Sequence, residues 1–179
     1  MNIVILSGSP RNGSISHRVA LYLENYFKNN SEHHIDLVSL QKWNLPPIQS
    51  AWMSVEKAPA EYRELAEIMF AADAFVLVSP EYNGGYSPAM KNLLDHFPKQ
   101  TRKAFGIATS SDGVMGGIRA SMQLQQLVAA LFGILSPVML ISPQVDKKFA
   151  EDGTLLDAAF ESKIHQFVTE FLWLAERLV

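Results

Sequence analysis

Five short apolar runs lie along the chain with helix-like stretches between them, and this alternation limits the fold more than any other feature of the sequence. The first covers residues 3–6, and the run at 74–78 is apolar throughout; 104–108 and 138–141 are the fourth and fifth. Continuous apolar strands are buried on both faces, the habit of a parallel sheet covered by helices. The second run, 34–40, sets Ile35, Leu37 and Leu40 among polar residues, as an edge strand does. Between the runs, 16–29, 60–72, 89–97, 117–132 and 155–178 read as helices, with Pro88 where a first turn tolerates proline and Gly133 closing the fourth. The sum is an α/β chain with a doubly wound, five-stranded parallel sheet in the order 2-1-3-4-5. A length of 179 residues fits one domain spanning 1–179.

Composition removes whole classes of chemistry. There is no cysteine, so thiolate catalysis, disulfides and Cys-based metal sites are excluded. Fifteen Lys and Arg against 18 Asp and Glu leave a net charge of −3 with no basic stripe, which argues against a nucleic-acid partner. The chain opens without a basic, cleavable leader and holds no apolar run near the ~20 residues of a membrane span. A cytoplasmic protein with no membrane partner is expected. His33 and His34 lack carboxylates at ligand spacing, so no metal site is expected, and no Gly-x-Ser-x-Gly marks a hydrolase.

Two loops carry the chemistry. Residues 7–16, Ser-Gly-Ser-Pro-Arg-Asn-Gly-Ser-Ile-Ser, follow the first strand and open the first helix. They offer four hydroxyls, the Arg11 guanidinium and the amides of a helix N-terminus, all of which favour an oxyanion such as a monophosphate. The same residues also serve simply as a helix cap and turn. A nucleotide P-loop lysine and a Gly-x-Gly-x-x-Gly fingerprint are both absent. The second loop, 79–88, is Ser-Pro-Glu-Tyr-Asn-Gly-Gly-Tyr-Ser-Pro. Asn83-Gly84-Gly85 permits left-handed backbone and close ligand approach, and Tyr82 and Tyr86 are placed to lie beside a flat ring; an ordinary Asn-Gly turn with surface tyrosines is the simpler alternative. Strands one and three flank the switch point of such a sheet, so both loops face one crevice.

Taken together, the two loops resemble those of the NADPH-dependent FMN reductases of the flavodoxin-like fold, from the first residue to about Val138. Residues 8–14 look like that family's Gly-Ser-x-Arg-x-x-Ser phosphate loop, and 79–92 closely match its flavin-ring loop. The resemblance implies bound FMN, with Ser9, Arg11, Ser14 and Ser16 around the phosphate and Pro80, Glu81, Tyr82, Asn83 and Gly84 bordering the isoalloxazine. The family commonly carries Asn where Ser16 stands. A third loop, 110–117, matches its third flavin-facing segment and adds Ser110 and Gly113.

The implied activity is an FMN-dependent NAD(P)H oxidoreductase. Hydride passes from NADPH or NADH to the flavin N5, then to a small-molecule electron acceptor: a quinone, flavin, azo or nitro aromatic, or metal ion. No side chain is assigned as catalytic. Glu81 is the most tempting acid near the ring and is equally readable as a solvated turn residue. The alternative is a flavodoxin-like electron carrier or flavin-binding module without its own nicotinamide reaction, although carriers usually display a stronger acidic field than −3 provides.

The connection 41–59 holds Trp43, Trp52 and three prolines. Either a partner subunit or ligand covers its tryptophans, or it folds back on its own domain. Since the family commonly forms homodimers or dimers of dimers, helix 89–97 and this connection are the expected interface, with Trp52 as a cover for the site.

Overall fold

The computed structural model describes every residue, Met1–Val179. The apolar runs become β1 (Asn2–Ser7), β2 (His34–Ser39), β3 (Ala74–Pro80) and β4 (Ala104–Ser110), followed by two short pieces, β5 (Ile134–Leu135) and β6 (Leu140–Ser142). The helices are α1 (Ile15–Asn30), α2 (Arg63–Ala71), α3 (Pro88–Asp95), α4 (Ile118–Ala130) and α5 (Glu161–Leu178). All pairings are parallel in the order β2-β1-β3-β4-β5, with β6 also on β4, as the flavodoxin-like reading requires. Alternate side chains feed two cores of similar size. Val4, Leu6, Phe75, Leu77, Phe105 and Ile107 join a 22-residue cluster with α2, α3 and α4. Ile3, Ile5, Val76, Val78 and Ala108 join a 21-residue cluster with α1 and α5. Burial on both faces is why these strands carry unbroken apolar runs.

The expected fifth strand, 138–141, is realised in part as β6, and β5 is an additional piece before it. β5 pairs Ile134 with Ala104 and Leu135 with Phe105; Ser136 N adds one bond to Phe105 O at 2.8 Å, and the ladder resumes only at Leu140 opposite Ala108. Pro137 stands in the gap and has no N–H to give a ladder. The last helix starts at Glu161 rather than 155, because Leu155 bridges Phe149 and a single 3-10 turn, Ala158–Phe160, precedes it. The second helix likewise begins as a 3-10 turn, Ala60–Tyr62.

The end of α4 differs in kind. Gly133 was the expected helix stop, but Phe132 takes the left-handed position at φ 57°. Gly133 is needed for another reason: a Cβ there would lie 2.5 Å from the Phe105 ring. An exposed phenylalanine in this backbone region is strained by about 1 kcal/mol, more than its exposed contact with Lys99 at 5.7 Å returns. With the lost contact subtracted, Phe132→Gly is therefore expected to raise the melting temperature by only roughly 1–2 °C in a thermal unfolding scan. An unchanged or lower value would remove the strain argument.

The connection 41–59 folds back on its own chain. Trp52 is 7% exposed, stacks on Tyr62 at 5.5 Å, meets Phe97 edge-on at 5.4 Å, and donates its backbone N–H to His96 O at 2.7 Å. Trp43 is partly buried against the same cluster. His96 ends α3 with Nδ1 on Asn92 O at 2.7 Å, while Asp95 pairs with Lys91, so the two are structural and not a catalytic couple.

Candidate active site

Three loops meet at the carboxyl ends of β1, β3 and β4. The first is fixed by Gly8 N donating to Val78 O at 2.8 Å and by Leu40 N donating to Ser7 O at 3.0 Å. It runs into α1, whose N-cap Ser14 accepts no bond from a helix amide; its Oγ pairs with Ser16 Oγ at 2.9 Å instead. With no acidic residue in the first turn of α1, the positive end of that helix stays available to an anion.

The second loop is a tight two-residue turn. Tyr82 and Gly85 exchange backbone bonds at 2.8 and 3.0 Å, with Asn83 at φ 52° and Gly84 at φ 81° between them, the backbone that Asn-Gly favours. Ser79 Oγ closes the base of the loop, accepting from Ser87 N at 3.0 Å and donating to Pro80 O at 2.9 Å. Ser87 then caps α3 by accepting from Ala89 N at 3.2 Å. The third loop is stapled to the end of β6 and the chain beyond it: Ser111 N donates to Ser142 O, Val145 N to Ser111 O and Gln144 N to Gly113 O, at 3.0–3.2 Å.

Between these loops lies a cleft of about 460 Å³, within the size range of small-molecule sites. It is lined by Ser9, Arg11, Asn12, Gly13, Ser14 and Ile15 of the first loop, Pro80, Glu81, Tyr82 and Asn83 of the second, and Ser110, Ser111 and Asp112 of the third. Eight of the eleven residues expected from sequence meet there: Ser9, Arg11, Ser14, Pro80, Glu81, Tyr82, Asn83 and Ser110. The other three stand one step behind. Ser16 is buried beneath Ser14, Gly84 lies against the Arg119 side chain, and Gly113 lends its carbonyl to Ser111 Oγ and Gln144 N.

Asn12, Gly13, Ile15, Ser111 and Asp112 were not singled out from sequence, although all sit inside the quoted loops, so proximity along the chain was the signal for them. Tyr86 is partly buried against the α2–α4 core, and burial, helped by the negative Asp95, pushes its hydroxyl above the ordinary value. Glu81 lines the cleft, and its carboxylate is turned to the start of α4.

Contacts cross the cleft between loops. The Arg11 guanidinium sits 4.4 Å from the Tyr82 ring centroid, and Ser9 Oγ lies 3.1 Å from Tyr82 Oη. Behind the first loop, His17 Nδ1 pairs with Ser7 Oγ at 2.8 Å, and burial holds the imidazole below its usual value against an upward pull from Glu24. The donor set suits a phosphorylated polyol: one guanidinium, several hydroxyls and a helix N-terminus. Ser110 Oγ, on the cleft wall and 1% exposed at its residue, has no partner within the protein. FMN, with one phosphate and a ribityl chain, fits these residues.

Comparison with known proteins gives the same family. Residues 1–145 match the family model described as NADPH-dependent FMN reductase. The chain belongs to that family. It is accordingly an oxidoreductase that works with FMN and NADPH. An FMN-dependent NADPH-azoreductase of Staphylococcus haemolyticus is 28% identical over 178 residues, covering 96% of this chain and 94% of the relative. A Staphylococcus aureus protein of the same name is also 28% identical, over 177 residues, with coverages of 96% and 94%. Among solved structures, the flavoenzyme NAD(P)H:(acceptor) oxidoreductase FerB of Paracoccus denitrificans superposes with a TM-score of 0.78 at 21% identity, covering 98% of this chain and 97% of that one. A flavodoxin variant from Pseudomonas aeruginosa reaches 0.62 at 16%, with coverages of 98% and 99%, which speaks to fold alone. No helix of this reductase is long and apolar enough to cross a membrane.

Proposed function

We propose that residues 1–179 act as one FMN-binding domain that carries electrons from NADPH to an aromatic acceptor of the azo or quinone type. The observation that carries this reading is the polar cleft where Arg11, the serines of the first loop and the unpartnered Ser110 hydroxyl converge. In it, Ser9, Arg11 and Ser14 hold the phosphate, with Ser16 orienting Ser14 from behind. Pro80, Glu81, Tyr82 and Asn83 form one wall of the ring end and Ser110 the other, with Gly84 and Gly113 backing them. FMN, when bound, supplies a two-electron couple open to a flat donor and then a flat acceptor. The chain's own part is to bind and orient; no side chain of the cleft is assigned to proton transfer. The curated Staphylococcus relatives, named as azoreductases, support the choice of acceptor class.

The working form is a homodimer through the face of α3, α4 and the 41–59 segment. Outward-facing residues of α4 include Met122, Gln123, Gln126 and Ala129, with Arg119 the single charge among them, and Met53 of the 41–59 segment is 67% exposed. Low charge with exposed methionine is the composition of an interface core. Sedimentation equilibrium at micromolar concentration reads this, and a monomer would remove it. The cytoplasm is the compartment proposed, to be checked by cell fractionation.

The deciding experiment is an anaerobic visible spectrum of the purified protein with FMN, before and after NADPH. Bleaching of a bound-flavin spectrum within seconds is expected, followed by recovery on adding an azo dye or quinone. Bound flavin that stays oxidised with both nicotinamides would make the chain an electron carrier instead.

A further inference from the structure

The carboxylate of Glu81 belongs to the second loop but serves α4. That helix begins at Gly117, which has φ 83° and no side chain, and its first turn holds no acidic residue. The amides that an N-cap side chain ordinarily satisfies, here Arg119 N and Ala120 N, donate to Glu81 Oε2 at 3.0 and 3.3 Å. Arg119 Nη1 reaches Oε1 at 3.4 Å. Glu81 thus caps a helix 38 residues further along the chain.

The glycine explains why a distant cap is needed. A Cβ at position 117 would lie 3.0 Å from Thr109 Cβ and 3.3 Å from Ser110 N, so the helix start packs on the end of β4 only without a side chain. Close packing there removes the local cap, and the second loop replaces it. The same helix end supports that loop elsewhere. A Cβ at Gly84 would sit 3.6 Å from Arg119 Cδ, and one at Gly85 3.1 Å from Gln123 Oε1. The Glu81 side chain is 14% exposed against 66% for Arg119, so the carboxylate is the enclosed member of the pair.

We infer that Glu81 is a positioning residue: its carboxylate fastens the second loop to α4 and so fixes the two walls of the cleft's ring end relative to one another. This inference rests on the FMN reading above. Oε2 is committed to two amides and Oε1 faces a guanidinium, so neither oxygen is set to exchange a proton with a ligand in the cleft.

The test compares wild type, Glu81→Ala and Glu81→Gln by three readouts: FMN titration followed by flavin fluorescence, visible circular dichroism of the bound flavin, and amide hydrogen exchange at Arg119 and Ala120 without flavin. E81A is expected to weaken FMN binding about tenfold, the scale of a lost helix cap, to alter the dichroism, and to speed exchange at both amides. E81Q keeps a carbonyl oxygen for those amides, so it recovers most of the affinity, and the pH profile of NADPH oxidation at saturating FMN retains both limbs. E81A binding FMN as wild type does, with unchanged exchange, overturns the inference. So does loss of a pH limb in E81Q, which would make Glu81 an acid catalyst. If E81A does not fold, E81Q and the exchange rates decide. A wild type that binds no FMN overturns the functional reading instead, while exchange at Arg119 and Ala120 still decides whether Glu81 holds the loop to the helix.

Discussion

Arg11→Ala is expected to weaken FMN binding by roughly 30- to 200-fold and to leave riboflavin binding nearly unchanged. The figure follows from losing about 2–3 kcal/mol of charge-assisted hydrogen bonding to a phosphate, at about 1.4 kcal/mol per factor of ten. One effect works against it. Arg11 lies over the Tyr82 ring at 4.4 Å, and engaging a phosphate means giving up that contact. An exposed cation–π pair is worth only about 0.5–1 kcal/mol, so the phosphate term prevails. Arg11→Lys keeps the charge but loses the paired donors, and an intermediate loss is expected. Fluorescence titrations with FMN and riboflavin in parallel check this. An equal loss for both flavins would mean that Arg11 shapes the loop and does not contact the phosphate.

The second large effect is on stability. Trp52→Ala is expected to cost about 3–5 kcal/mol, the range for emptying a large aromatic site. Trp52 stacks on Tyr62 and meets Phe97 and His96, so its removal leaves a void between the 41–59 segment, α2 and the far end of α3. α3 starts beside the cleft at Pro88, and its eight residues carry the chain about 12 Å away from it. FMN affinity of the folded variant should therefore stay within twofold of wild type. Urea unfolding gives the stability, and titration below the unfolding transition gives the affinity. A variant with normal stability and weakened FMN binding would restore Trp52 as a cover for the site.

The contrast between Trp52 and Arg11 shows what was legible in the sequence. β1, β3 and β4 are buried on both faces, so their residues had to be apolar in unbroken runs, and their order placed two polar loops at one end. Loop chemistry was legible for the same reason: Asn83-Gly84 has few uses apart from a left-handed turn. Of the fifth strand only the β6 part was legible, because pieces of two and three residues carry no periodicity. Whether Trp52 faced solvent or the core depended on contacts with Tyr62 and Phe97, which no local pattern encodes. The direction of Glu81 was hidden similarly, since its partners begin 38 residues later and are backbone amides, which every residue but proline possesses.

The break in the fifth strand also bears on the chain's behaviour at high concentration. A sheet edge with a continuous row of free N–H and C=O groups templates polymerisation into fibrils. Here one edge is split around Pro137 into segments too short to template a neighbour. The opposite edge, β2, is six residues long and sets a paired His34 and Asp36, 3.3 Å apart, among its side chains. Both borders are thus poor substrates for strand addition, so the sheet offers no ready template for growth into fibrils.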